Sequence, residues 1–524
     1  MGNRLNRQDV LREMGATAEW DILVVGGGAT GLGTAVEAAS RGYRTLLLEA
    51  RDFAKATSSR STKLVHGGVR YLQQGNVKLV LEALRERGRI LRNAPHLAHR
   101  RAFLVPAYAF WEFPFYGAGL MLYDVLAGKE GLGRSRILSK SRIEKALPTL
   151  RRDSLKGGIL YYDGQFDDAR FAITLLRTLF DAGGIALNYA RVAGLLKRNG
   201  KVTGVAVEDG ETGARIQCAA RAVINATGIF SDDLRRMDEP QTNKIVTVSQ
   251  GSHVVLPREF LPGDAALMIP RTSDGRVLFA IPWHERLVVG TTDDPVPEAS
   301  YEPRALLDER RFLVRHIEKF LGRRPEPGEI LSVWSGQRPL VAKADASSTA
   351  AISRDHTILI SNSKLITITG GKWTTYRQMA EDVIDRAGPL AGLAASASRT
   401  ANLRLHGWIE KSEAPDEWQH VYGADLPLLK CLMKEDSALD QPLHPRLPFR
   451  QGEIAWAARY EMARCVEDVL ARRTRALFLD ARASIEAAPL TARLLSRELG
   501  RDAAWEQNQI AAFRKVAEAY IWAG

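Results

Sequence analysis

Cysteine is scarce and scattered in this chain. Its three thiols, Cys218, Cys431 and Cys465, lie far apart and make no CxxC or zinc-finger spacing. That excludes a disulfide framework or a thiolate metal centre, and a reducing compartment fits best. No run of about 18 uninterrupted apolar residues occurs, so no bilayer-spanning helix is expected. The opening residues, MGNRLNRQDVLREMG, have no apolar secretory core and carry Asn6 where a myristoylation signal wants Ser or Thr. Internal repeats are absent. Acidic residues are in deficit: 61 Asp and Glu against 73 Lys and Arg leave a net charge of +12 over 524 residues. Such a surface draws anionic partners, whether nucleic acid, acidic lipid or a phosphorylated substrate, or is simply basic and solvated.

What is present alternates between α and β patterns. Residues 1–20 form a polar, partly helical extension. Residues 21–50 read as strand, glycine turn, helix and strand. A Ser/Thr/Gly-rich stretch fills 51–74, and helices are expected over 76–94, 168–182 and 305–320. Alternating runs across 184–227, with a hairpin signal at Arg198-Asn199-Gly200, predict strands. The runs IVTVSQGSHVVL, RVLFAIPW and RLVVGTTD within 244–299 suggest an antiparallel sheet of their own. Residues 386–403 read as a linker, and 404–524 as a helical C-terminal domain. Between them, 21–385 would hold the cofactor parts (near 21–75, 184–232 and 351–385) and the substrate parts (near 76–183 and 244–350). The aromatic segment FLVPAYAFWEFPFYGAGLMLYDVL, 103–126, suits either core packing with a loop or an interfacial patch.

The first motif is DILVVGGGATGLGTAVEAASRGYRTLLLEA. Ile22 to Val25 form a continuous apolar run, as a buried parallel strand does. Gly26 permits the tight turn, Gly28 lets the backbone approach a pyrophosphate, and Gly31 allows close helix–strand packing. Ala29 and Thr30 open the helix, whose free N–H groups favour phosphate. Glu49, 23 residues after Gly26 and followed by Ala50, suits a ribose diol and would repel a 2′-phosphate. This much specifies a dinucleotide without separating NAD from FAD. AVINATG at 222–228, with Ala226, Thr227 and Gly228 at the turn, looks like a strand returning to the same sheet. ITITGGK at 366–372, with Gly371, Lys372 and then Thr374, offers a second helix N-terminus for a flavin ring. Together these favour a single FAD site.

The stretch AKATSSRSTKLVHGGVRYLQQ carries a more specific signal. With APHL (94–97), DDAR (167–170), NATG (225–228), GSH (251–253), GTTD (290–293), SGQRPL (335–340) and GGKWTTYR (370–377), the chain resembles the FAD-dependent sn-glycerol-3-phosphate dehydrogenase family. The resemblance runs from about residue 20 to 385 and continues more weakly into the tail, through YEM (460–462) and DVLARRTR (468–475). It implies an α/β fold: a Rossmann-type FAD domain of the glutathione-reductase-like, amino-acid-oxidase branch, an antiparallel-sheet substrate domain and a C-terminal helical cap. It also implies oxidation of glycerol 3-phosphate to dihydroxyacetone phosphate, by hydride transfer to flavin N5, with electrons passing to a membrane quinone. Glycerol catabolism, respiratory electron input, and a cytoplasmic site on the inner face of the cytoplasmic membrane follow from the same likeness. An anionic membrane surface is then the partner, a homodimer is compatible, and no metal is called for. Gln337 departs from the hydrophobic residue common at that place. The long insertion of the related oxygen-using oxidases is missing, which favours a dehydrogenase. An amine or amino-acid oxidase on the same fold is the second reading. A nucleic-acid-binding flavoprotein is the third, and dispersed basic residues without an RNA-binding motif argue against it.

The chemistry asks for a base near the C2 hydroxyl and for Arg or Lys at the phosphate. His66, beside two glycines, is the first candidate base, and His253 its rival. Arg70, Tyr71, Arg338, Arg354, Lys372, His253 and Asp293 are the expected substrate ligands, with Arg338 and Lys372 also serving catalysis. The resemblance adds Thr57, Ser58, Ser59, Thr62, Lys63, Leu64, His66 and Gly67 to the cofactor wall.

Overall fold

A computed structural model describes residues 4–69, 72, 75–341, 356–410 and 417–523. Arg70, Tyr71 and Arg354 therefore lie outside the described residues. Two sheets organise the chain. The first, eight-stranded among the described residues, begins with Trp20–Val25 at its centre. This strand pairs in parallel with Thr45–Leu48 on one side (Ile22 opposite Thr45) and with Arg215–Asn225 on the other (Ile22 opposite Ala222). Ile366–Gly370 extends the parallel set beyond Arg215–Asn225, and Ile185–Leu187 beyond Thr45–Leu48. Helix Ala29–Ser40 makes the crossover, as a parallel pair requires. The hairpin of Ala190–Arg198 and Lys201–Asp209 turns at Asn199 and Gly200, both with positive φ as a tight hairpin turn demands.

The second sheet is ten-stranded among the described residues. Val246–Pro257 lies between Arg286–Gly290 and Ser332–Val341, and Ala98–Ala107 pairs with Gly157–Phe166. These pairings are antiparallel, as expected, but Ala266–Ile269 runs parallel to Ala98–Ala107 where the two halves join, so the sheet is mixed. Helix Leu307–Leu321 covers one face with Phe312, Leu313 and Ile317. The aromatic segment contains no long loop. It is the end of a strand followed by helix Glu112–Ala127.

Two boundaries differ from expectation. Helix Tyr376–Leu390 runs on into the stretch expected to be linker, because Val383, Ile384 and Ala387 keep packing on the first sheet. Helix Asp168–Asp181, assigned to the substrate part, instead buries Phe171, Leu175 and Leu179 in the core of the nucleotide-binding layers. The extension gains a structural role. In helix Arg7–Ala16, Val10 and Met14 join that core, while Arg7 binds the Asn188 carbonyl and pairs with Asp209.

The C-terminal helices Leu426–Met433, Gly452–Tyr460, Ala481–Leu499 and Ala503–Ala517 enclose a core of their own around Trp456, Leu470, Phe478 and Leu495. They are fastened to the layers of the first sheet by buried ions. Asp52 receives both Arg472 and Arg473, Asp168 receives Lys63 (2.7 Å) and Arg475 (3.1 Å), and Arg170 grips Glu461 at 2.7–2.8 Å. Burial alone would raise the Asp52 pKa, but the two guanidinium groups hold it down at about 2.

A further clasp titrates above neutrality. His406 Nδ1 meets Asp181 at 2.6 Å and Nε2 meets Asp425 at 2.8 Å, so its doubly protonated ring bridges helix Asp168–Asp181 to the C-terminal part. Burial opposes the charge, but the two carboxylates prevail and lift the pKa to about 9. A group whose folded pKa is raised contributes stability that is full below its unfolded value, near 6.5, and lost as pH climbs through 9. His406→Gln is expected to lower the melting temperature by about 2–6 °C at pH 6 and hardly at all at pH 10. An equal loss at both pH values, followed by circular dichroism, would show that the ring's charge is irrelevant.

Candidate active site

A cavity of about 720 Å³ opens between the two sheets. Of the expected cofactor residues, Gly26, Gly28, Ala29, Thr30, Glu49, Ala50, Thr57, Ser58, Thr62, Leu64, His66, Ala226, Thr227, Gly228, Gly371, Lys372 and Thr374 all line it. Arg338 and Asp293 are on its wall as well. Groups from Gly26 to Thr374 converge because strands Trp20–Val25, Arg215–Asn225 and Ile366–Gly370 are neighbours and end on the same side, the usual place for a ligand in such sheets.

At one end the geometry fits a dinucleotide. Gly26 has φ +113°, and a Cβ on Gly31 would lie 1.8 Å from the Gly26 carbonyl oxygen. Gly31 itself faces this contact and not the cavity, as its packing role requires. Gly28 caps helix Ala29–Ser40 without a side chain, leaving amides turned to the cavity, and Ser58 Oγ accepts from Ala29 N–H at 2.9 Å. The Glu49 carboxylate accepts from the amides of Gly27 (2.6 Å) and Arg51 (2.8 Å). Burial pushes its pKa above the ordinary range, while those amides and Arg472 pull the other way.

The other end is built by turns that lock together. Trp373 Nε1 donates to the Ser58 carbonyl at 2.9 Å, and the His66 amide donates to Thr374 Oγ1 at 3.3 Å. Gly370 and Gly371, both with positive φ, carry the chain around to Lys372. Arg338 leans on Asp293 Oδ1 (3.2 Å) and Thr291 Oγ1 (3.3 Å), so Asp293 acts here as the anion that aims Arg338. Gln337 finds polar partners outside the cavity, accepting from Ser300 N–H and donating to the Glu298 carbonyl. That accounts for a glutamine where a hydrophobic residue is common.

Besides Gly31, four expected residues are turned away from the cavity. Lys63 has φ +63°, which sends its side chain into the ionic seam, onto Asp168 and over the Trp334 ring. Burial, helped by Arg475 and opposed by Asp168, brings its pKa down to about 7. The Ser59 carbonyl is occupied by Lys63 and Arg475. Gly67 faces Leu84 and the Tyr123 hydroxyl. His253 is stacked on Trp334 at 4.0 Å, and its Nε2 lies 3.0 Å from Thr62 Oγ1. Burial, Lys63 and Arg338 all depress its pKa, and its partner Thr62 stands between it and the cavity.

Residues that sequence reasoning did not single out complete the wall: Asp163, Arg276, Phe103, Tyr161, Met268 and Phe279. Arg276 is paired with Asp294 at 2.9 Å. Strand alternation was the only signal for the apolar four, and it does not say which face meets a ligand. Beside this wall, helix Glu112–Ala127 packs Leu120 and Tyr123 inward and leaves Phe115, Leu122 and Val125 (75% exposed) outward, next to Phe110 (74%) and Trp111.

Comparison with known proteins agrees with this geometry. Residues 21–377 match the family described as FAD dependent oxidoreductase, and 361–506 match the C-terminal domain of alpha-glycerophosphate oxidase. The mitochondrial glycerol-3-phosphate dehydrogenase of Rattus norvegicus is 38% identical over 541 residues, covering 96% of this chain and 74% of that protein. The Homo sapiens protein of the same name is 39% identical over 545 residues, covering 97% and 75%. A solved glycerol-3-phosphate dehydrogenase from Bacillus halodurans, complexed with FAD, superposes with a TM-score of 0.81 at 27% identity, over 98% of both chains.

Gly31→Val is expected to leave less than about a tenth of the flavin bound on purification, since the helix must retreat from the strand. The ratio of visible to ultraviolet absorbance measures it, and a full complement of flavin would contradict the close-packing role.

Proposed function

This chain belongs to the FAD-dependent glycerol-3-phosphate dehydrogenase family, and on that premise we propose that it oxidises sn-glycerol 3-phosphate to dihydroxyacetone phosphate at the Arg338–Lys372 end of the cavity and passes the electrons to a membrane quinone. The observation that carries the reading is that Arg338, Lys372 and His66 line the same cavity as the glycine turn expected to hold FAD. Bound there, FAD supplies the acceptor for the hydride that leaves C2.

The protein's own groups do the rest. Arg338, aimed by Asp293 and Thr291, binds the phosphate, for which a guanidinium offers paired donors. Lys372 adds a second cation, and Arg70, Tyr71 and Arg354 are proposed to complete the anion site. His66 takes the proton of the C2 hydroxyl as the hydride departs. The two cations stabilise the charge that develops on oxygen, in a cavity whose Phe103, Phe279 and Met268 side reduces the access of water.

A quinone is an apolar acceptor held in a bilayer. No helix among the described residues is long and apolar enough to cross a membrane. We propose that the protein instead lies on an anionic leaflet through Phe110, Trp111, Phe115, Leu122 and Val125, assisted by the +12 charge. In a bacterial cell that is the inner face of the cytoplasmic membrane.

Anaerobic addition of glycerol 3-phosphate should bleach the flavin absorbance, while glycine, proline and other amino acids should not. Bleaching by an amino acid alone would overturn the substrate. Arg338→Ala should raise KM for glycerol 3-phosphate by at least about tenfold without loss of FAD, and an unchanged KM would remove Arg338 from the phosphate site. Replacing Phe115 and Val125 by Ser should weaken co-sedimentation with vesicles containing phosphatidylglycerol by about tenfold; undiminished binding would move the membrane face elsewhere.

A further inference from the structure

Tyr123 sits on the inner side of helix Glu112–Ala127 with only 1% of its surface exposed. Its hydroxyl accepts from the Gly67 amide at 2.7 Å and donates to Asp163 Oδ2 at 2.8 Å. The directions are fixed. An amide can only donate, so the single phenolic proton goes to Asp163. Asp163 is held in turn, because its Oδ1 accepts from Arg87 Nη1 at 2.9 Å, and Arg87 Nη2 donates to the Glu130 carbonyl at 2.7 Å. Burial, with Asp163 next to it, drives the Tyr123 pKa far above its ordinary value, so the proton stays on the phenol throughout the working pH range.

This chain of hydrogen bonds ends on the peptide that follows His66. A Cβ on Gly67 would meet Leu84 and the Tyr123 hydroxyl at 2.6 Å, so the turn is pressed against the phenol. On its other side His66 is held by its own amide, which donates to Thr374 Oγ1 in the turn that follows Lys372. The backbone of His66 is thus clasped from two directions. One clasp belongs to the flavin turn. The other belongs to a helix that contributes none of the expected site residues.

We infer that Tyr123 is a positioning residue for the reaction: through the Gly67 amide it sets where the His66 ring stands relative to the turn that carries Lys372. The role rests on the reading of His66 as the base. Removal of the hydroxyl leaves the aromatic ring and its packing in place but strands a buried N–H, and the turn must move to satisfy it. A displacement of about 1 Å at a reacting group is enough to cost a large factor in rate.

The test uses the FAD-loaded full chain and a double-mutant cycle of Tyr123→Phe with His66→Gln. Tyr123→Phe is expected to keep its FAD, hold KM for glycerol 3-phosphate within about twofold, and lower kcat about tenfold. The double variant should be no slower than His66→Gln alone. An unaffected kcat in Tyr123→Phe, beside a large defect in His66→Gln, overturns the Tyr123 inference by itself. So do losses that multiply in the double variant. Full turnover in His66→Gln overturns the base assignment and, with it, the route through His66. Should Tyr123→Phe fail to retain FAD, Arg87→Lys takes its place in the cycle, because it loosens Asp163, the acceptor that orients the phenol, without altering a residue that lines the cavity. The same non-additivity with His66→Gln supports the inference, and multiplying losses overturn it.

Discussion

The structure depends on charges buried between the flavin-side layers and the C-terminal helices. Asp52, Lys63, Asp168 and Arg170 come from the first third of the chain, and Glu461, Arg472, Arg473 and Arg475 from its last seventy residues. None of these ions would be stable in a dry interior alone. Desolvation costs several kcal/mol for each, and removing one partner of a buried pair typically costs about 3–5 kcal/mol. Each half therefore supplies the counter-ions that the other half needs. The seam is specific for the same reason: a shifted docking would leave carboxylates facing carbon.

The cavity follows from that assembly. The Ser59 carbonyl is gripped by Lys63 and Arg475, which fixes the loop just before Thr62, Leu64 and His66 turn into the cavity. The Ser58 carbonyl is held again by Trp373, which ties the loop after the first βαβ unit to the turn that follows Lys372. Arg338 arrives from the second sheet with its own anion. The cavity thus carries Arg338 and Lys372 on its lining, and helix Glu112–Ala127 packs behind its apolar residues Phe103, Tyr161 and Met268.

Local features were legible in the sequence. The Gly26, Gly28 and Gly31 turn, the strand after it, the Asn199–Gly200 hairpin and the two later strand–turn segments each depend on backbone geometry that a few residues dictate, and all are found where expected. The wall contributed by 57–66 was legible through family likeness, not through periodicity. Side-chain direction was not legible. Lys63 and His253 each stand one residue from a cavity-lining position or one contact behind it, and a positive φ or a stacked tryptophan decides the matter. Tyr123, Asp163 and Arg87 gave no signal either. Their meaning comes from contacts across 40 to 76 positions, and each residue alone looks like an ordinary member of a helix or strand.

The order of strands in the first sheet has a consequence for biosynthesis. Trp20–Val25 leaves the ribosome long before its neighbour Arg215–Asn225, and that strand's own neighbour is Ile366–Gly370. Asp52 must wait longer still, for Arg472 and Arg473. The glycine turn is therefore made early and enclosed last. During translation the nascent chain exposes an apolar sheet edge and uncompensated acids for most of its length, the condition in which large α/β chains aggregate or recruit chaperones. A product that stops short of residue 470 would keep the fingerprint for the dinucleotide while losing the counter-ions of Asp52.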